Sequence, residues 1–393
     1  MKKAFIGVIA IMASVCAFAQ PGKPQEDGFK FETVKQLPIT SIKNQASTGT
    51  CWCFSVMSFI ESEIMRQGYK GDELDLSEMF VVSNSYADKA VKYIRLDGHL
   101  NYDEGSSFGD VLTTIKEHGI VPDSVMPGLN YGTKSHLHAE MVAGLKGFLG
   151  GIVKNPNGKL TPSWKPALDG ILASYLGTVP ETFEVNGKQY TPQSYLESLP
   201  FNPDDYVQLS SWTHIPYYKL HPLESADGWR WEEAYNLPMD DFMQVLFNSI
   251  DNGYTFVWGT DVSEVGFTRD GVGFVPDLEA VETAGSDQAH WVGSQPNGRK
   301  TFNGPVKELT ITPEMRQTAY ENKSTTEDHG MHVFGLAKDV NGTNYFMVKN
   351  SWGESGKYKG IWYASENYLK YKTIAVLVHK DAIPAAIKAK LGL

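Results

Sequence analysis

Gln45-Ala46-Ser47-Thr48-Gly49-Thr50-Cys51-Trp52-Cys53-Phe54-Ser55 is the stretch on which the reading of this chain turns. Ser47, Thr48, Gly49 and Thr50 are turn formers. They run straight into an apolar stripe at helical spacing, Val56, Met57, Ile60 and Ile64, and Gly68 closes the segment. Cys51 sits at the junction. A thiol on the first turn of a buried helix meets the positive end of the helix dipole and unpaired backbone N–H groups, which favour the nucleophilic thiolate. The competing reading is a small apolar residue at a helix start, because free cysteines are often simply buried.

The C-terminal part weighs against that competitor. Asp328-His329-Gly330-Met331-His332-Val333-Phe334-Gly335 reads as a strand leaving a polar loop, followed by Asn344-Tyr345-Phe346-Met347-Val348-Lys349-Asn350-Ser351-Trp352-Gly353. A cysteine nucleophile, a histidine base and an orienting amide are all present, far apart in sequence as such sets usually are. Gln45 precedes Cys51 by six positions, and its side-chain amide can donate to a developing oxyanion.

Together, Gln45, Cys51-Trp52-Cys53-Phe54-Ser55, His329 and Asn350-Ser351-Trp352-Gly353 resemble the papain-like cysteine peptidases. Those enzymes carry the glutamine at the same spacing, Cys-Trp-Ala-Phe-Ser at the nucleophile and Asn-Ser-Trp-Gly at the asparagine. Further stretches are similar to the bleomycin hydrolase and aminopeptidase C branch: Gly177 to Phe183, Tyr190 to Tyr195, Val257 to Val262, and Met315-Arg316-Gln317. The resemblance runs from about residue 30 to the end.

It implies an α+β papain-like fold, with a helical half and an antiparallel β half flanking a cleft, and an inserted mostly helical subdomain. It implies that Cys51 attacks, that His329 takes the proton and that Asn350 orients the imidazole. Gln45 and the Cys51 N–H then hold the oxyanion, Trp352 shields the pair from water, and Trp352 with Gly105 and Ser106 contacts the substrate. The family's Gly-Gly substrate strip corresponds to Gly105-Ser106 here, with a serine at the second position. Peptides are the implied substrates, with no cofactor and no metal, and the resembled branch forms hexamers. Its members end in an arm whose last residue lies in the cleft and receives a substrate's amino terminus. The usual ending is missing before Leu393. The aminopeptidase reading therefore carries an endopeptidase alternative. An amidase or acyltransferase and a catalytically dead peptide-binding protein are remoter ones.

Two competitors for the site are set aside on register. Cys53 occupies the alanine position of the family motif and reads as packed. His332 points to the strand face opposite His329, whereas Gly335 falls six after His329 as a glycine does after the family histidine. The pairs His136/His138 and His329/His332 lack a third ligand at zinc spacing.

Composition bounds the rest. The chain has 393 residues, 41% hydrophobic and 21% charged, enough for a sizeable core. A net charge of −11 argues against nucleic acid or an anionic membrane surface as the main partner. Residues 1–19 read as a secretory signal, Met1-Lys2-Lys3 followed by an apolar run and Ala17-Phe18-Ala19 as the cleavage site. The reading implies export to a bacterial periplasm or exterior. Cys16 is an alternative lipoprotein site, with bulky Val15 against it. No later segment approaches the ~20 apolar residues of a membrane span. The expected order is a polar arm over 20–36, the helical half with the nucleophile over 37–129, the inserted subdomain over 130–241, and the β-rich half with His329 and Asn350 over 242–393. The aromatic run from Trp212 to Trp231 reads as core and subunit interface.

Overall fold

The computed structural model describes residues 28–70, 74–278, 302 and 304–393. The expected secretory signal, its expected cleavage site and Cys16 lie outside the described residues. No helix among the described residues is long and apolar enough to cross a membrane.

The helical half is built around α1 (Cys51–Arg66), whose residues from Trp52 to Ile64 are all buried. Such a helix must be covered on every side. The strand that carries His329 lies along one side; α2 (Glu78–Arg95) and α3 (Phe108–His118) cover the others. Ser77 caps α2 by accepting from the Phe80 N–H, and Ser107 with Asp110 forms a capping box on α3. Both satisfy amide donors that a helix start leaves orphaned.

The β half is one ten-stranded sheet. Its centre is β7 (Phe256–Thr260), β9 (His329–Asp339), β10 (Asn344–Lys349), β11 (Ile361–Ser365) and β12 (Thr373–His379). β9 is long enough to have two different neighbours along one edge. Its first five residues pair antiparallel with β7, and its last five with β1 (Phe31–Gln36). The arm expected over 20–36 is thus corrected at residues 31–36, which form a strand. Phe31 explains why: its ring stacks on Tyr363 at 4.0 Å and meets Tyr345 edge-on at 4.8 Å. One aromatic and a free strand edge outweigh an otherwise polar sequence.

The inserted stretch is helical at first, with α4 (Ala139–Val153), α5 (Trp164–Leu176) and α6 (Pro192–Ser198) packed in the same core as α1. A hairpin, β2 (Phe183–Val185) and β3 (Lys188–Tyr190), turns at Asn186-Gly187, where both residues have positive φ, 51° and 78°. That is the backbone the Asn-Gly pair predicts. After residue 205 the insertion changes character. β4 (Tyr206–Ser210) pairs antiparallel with β12, and β5 (Leu220–Pro222) and β6 (Glu233–Asn236) extend the sheet beyond it. The boundary placed at 241 is therefore not a structural one: strands from the insertion complete the β half. The aromatic run splits the same way. Trp212 and Trp229 are buried, whereas Trp231 is 57% exposed. Next comes α7 (Met239–Asp251); β8 (Val272–Gly273) lies parallel to β11. α8 (Pro313–Glu321), α9 (Glu366–Lys372) and α10 (Ala385–Leu391) complete the described helices.

Candidate active site

Cys51 is the first residue of α1. Its cap residue Thr50 makes no side-chain capping bond, and the first turn contains no acidic residue. The positive end of the helix is left uncompensated at the sulfur. The backbone N–H groups of Gly330 and Trp52 stand close enough to that sulfur to favour its thiolate. Gly330 follows His329 at the start of β9, so this contact places the start of the strand against the start of the helix. Gly330 is a glycine for a reason of space. A Cβ there would stand 2.9 Å from both the Phe108 ring and the Ser55 hydroxyl.

On the opposite wall, His329 Nε2 lies 2.7 Å from Asn350 Oδ1, which leaves Nδ1 for the cleft. The same Oδ1 accepts the Ser351 N–H at 2.7 Å. The Ser351 hydroxyl donates to Gln45 Oε1 at 2.6 Å, and the Gln45 backbone N–H returns to the Ser351 carbonyl at 2.8 Å. A continuous chain of bonds thus ties the histidine wall to the loop before Cys51. One N–H of the Gln45 amide donates to the Thr48 carbonyl at 2.7 Å, and the amide has a second to give. Trp352 lies over His329, ring centroids 4.7 Å apart and 28° from parallel, and is boxed by Trp362 and Phe267.

Burial works against charge on both reacting groups. Desolvation pushes the Cys51 thiol up to about 11, opposed by the Gly330 and Trp52 donors, with Glu327 and Asp227 adding to the rise. Desolvation pushes His329 down to about 4, opposed by Asn350 and by the Asp328 carboxylate. Asp328 shares hydrogen bonds with Asp261 and Thr326, which outweigh its own burial and keep it ionised. Each group resists charging alone, whereas proton transfer between them would charge both with opposite signs within one cavity.

The cavity between the walls measures about 390 Å3. Cys51, Trp52, Gly105, Ser106, His329 and Gly330 line it. Of the residues singled out from the sequence, the structure brings Cys51, Gly105, Ser106 and His329 to the cavity lining, with Asn350, Gln45 and Trp352 in the layer behind His329 and Cys51. Cys53 is fully buried with Sγ 3.4 Å from the Glu78 carbonyl, and both cysteines are free. His332 is buried under α1, its Nδ1 2.9 Å from the Ser58 hydroxyl. His136 and His138 pack against each other and against Phe54 and Tyr86. Among the described residues, three groups close enough to share a cation are Asp88, Glu117 and His118. Arg230 already bridges the first two of these.

The sequence reading missed Asp227, Glu327, Glu104 and Asn101, which also line the cavity. Asp227 and Asn101 carry no motif signal. Glu327 and Glu104 stand within two residues of stretches already quoted, and only the fold turns them inward.

A family model described as the papain family cysteine protease matches residues 28–125, and one described as the peptidase C1-like family matches residues 309–392. Aminopeptidase G of Lactobacillus delbrueckii subsp. lactis is 22% identical over 391 residues, covering 88% of this chain and 82% of the relative. Bleomycin hydrolase of Gallus gallus is 22% identical over 398 residues, covering 90% and 82%. Aminopeptidase C of Listeria monocytogenes is 20% identical over 386 residues, covering 88% and 81%. The crystal structure of PepW from Lactobacillus rhamnosis has the same fold, with a TM-score of 0.67 at 20% identity over 92% of this chain and 84% of that one.

A helical half bearing a helix-start cysteine, a β half bearing a histidine, and these matches at both ends of the chain define a papain-like cysteine peptidase. Within that class, the chain is similar over most of its length to aminopeptidases C and G and to bleomycin hydrolase.

Proposed function

We propose that this peptidase removes residues from the amino terminus of peptides through a thiolate–imidazolium mechanism. One observation carries the mechanism: Cys51, with its sulfur against the Gly330 N–H, and His329, held by Asn350, line one cavity. The Cys51 proton passes to His329 Nδ1 as the sulfur attacks the scissile carbonyl carbon. The Cys51 backbone N–H and the second N–H of Gln45 meet the oxyanion, a donor of this kind being worth about 3 kcal/mol of barrier. His329 then protonates the departing amine. The thioester is hydrolysed by a water that His329 deprotonates, and the sulfur returns as the leaving group. Asn350 keeps Nδ1 pointed at the sulfur throughout. Trp352, stacked on His329, covers the His329–Asn350 bond.

The aminopeptidase mode is supported by the names of the relatives. A second reading, cleavage within chains, is favoured by the course of residues 379–393. Ile383, Ile387 and Leu391 pack beside α7, and none of residues 379–393 lines the cavity. The N-terminal residues 1–19 support export, and the branch supports a homo-oligomer.

Cys51→Ala is expected to lose all hydrolysis of an aminoacyl-coumarin amide, while Cys53→Ala keeps it at a stability cost of roughly 1 kcal/mol. Full activity in Cys51→Ala would remove the proposal.

A further inference from the structure

Residues 225–229 reach from the insertion into the active-site cavity. Their turn is fixed locally: the Asp227 N–H donates to the Ser225 hydroxyl at 3.2 Å, and the Trp229 N–H to the Asp227 carbonyl at 2.8 Å. It is fixed to the cleft as well. The Trp229 indole N–H donates to the Ser106 hydroxyl at 2.8 Å, and that hydroxyl donates to Asp110 at 2.6 Å. A glycine at 106, as in the family strip, could not make either bond. The serine is therefore the latch that docks the turn over the strip.

Docking has a steric consequence. The Asp227 carboxylate lies where a side chain on Gly105 would be, with Oδ2 2.0 Å from the position of its Cβ. Asn101 holds the other oxygen at 3.1 Å. An extended peptide needs this space to continue along the strip past Cys51. The way is closed by a carboxylate rather than by an apolar side chain. Glu327 lines the same cavity from the β half, with the Ser225 hydroxyl near enough to favour its charged form. Both carboxylates are close enough to Cys51 to act on its sulfur electrostatically. No lysine or arginine lines this cavity among the described residues. Lys89 lies behind the strip, bonds the Asp103 and Gly105 carbonyls and already feels the Asp227 charge from that side.

We infer that the 225–229 turn ends the substrate groove one residue short of where an open groove would run, and that Asp227 with Glu327 receives the protonated α-amino group of the peptide. The inference rests on the peptidase reading. It assigns the amino-terminal ruler to the insertion, and it explains why residues 379–393 can pack elsewhere.

The test compares an alanyl-coumarin amide with its N-acetylated form, in wild type and in Asp227→Asn. Wild type is expected to prefer the free amine by about 100-fold or more in kcat/KM. Asp227→Asn, nearly isosteric and still able to bond Asn101, is expected to cut that preference at least tenfold, chiefly through KM. A second arm needs no turnover. By calorimetry, Cys51→Ala should bind trialanine but not acetyl-trialanine, and Cys51→Ala/Asp227→Asn should bind trialanine at least tenfold more weakly at an unchanged melting temperature. Equal cleavage of blocked and free substrates by wild type, or an unchanged preference in Asp227→Asn, overturns the ruler and leaves the peptidase standing. Hydrolysis of neither substrate overturns both.

Discussion

At the residue scale, the reacting groups are governed by a conflict between burial and pairing. Cys51 stands at about 11 and His329 at about 4, so a lone charge on either is costly. The helix start, the two backbone donors and the Asn350 bond all favour the charged pair. These three residues were legible because each lies in a local motif whose neighbours share its task. Glu327 was not legible, since a glutamate before an Asp-His pair usually reads as a solvated loop residue. It has a consequence for pH. Burial raises the Glu327 carboxyl to about 6, with Asp227, Asp110 and Asp328 adding to the rise and Ser225 opposing it. A raised carboxyl is neutral below that value and charged above it. A substrate α-amino group loses its proton near pH 8. KM for free-amine substrates should therefore be lowest between about pH 6 and pH 8 and rise several-fold on either side, while KM for N-acetylated substrates stays flat. Steady-state kinetics across pH 5 to about 9 checks this; a parallel pH profile for the two substrates would contradict it.

At the element scale, the decisive contact is β9 against the N-terminal turn of α1. Both were readable: the apolar stripe predicts the helix, and the His329 strand leaves a polar loop. Their closeness was not, because it depends on a missing side chain at Gly330. Gly330→Ala must push apart Phe108, Ser55 and the strand, at a cost of about 1–3 kcal/mol. A shift of the His329 wall by a fraction of an ångström should lower kcat about 10- to 100-fold with a smaller change in KM. Stopped-flow acylation rates measure this directly, and wild-type rates in Gly330→Ala would show that the close packing is not needed. β1 illustrates the opposite limit. Its pattern is mostly polar, and only the free half-edge of β9 and the aromatic slot for Phe31 make it a strand.

At the scale of the whole molecule, the site exists because separate stretches of one chain meet. The helical half supplies the sulfur, the β half the imidazole and the insertion the carboxylate over Gly105. The two halves were legible as halves, since their hydrophobic periods differ. The insertion's contribution was not, because Asp227 sits in a turn about 120 residues from Gly105 and no spacing rule joins them. Composition could not reveal that β4 to β6 would complete the sheet of the other half either.

The union of the halves is tested most directly by the alkylation of the cysteines with iodoacetamide, followed by mass spectrometry in wild type and in His329→Ala. Of Cys51 and Cys53, only Cys51 is expected to be modified, at a rate that falls about 100-fold or more at pH 6 when His329 is removed. An equal rate in both proteins, or modification at Cys53 with Cys51 spared, would contradict the pairing of the helix-start sulfur with the strand-start imidazole.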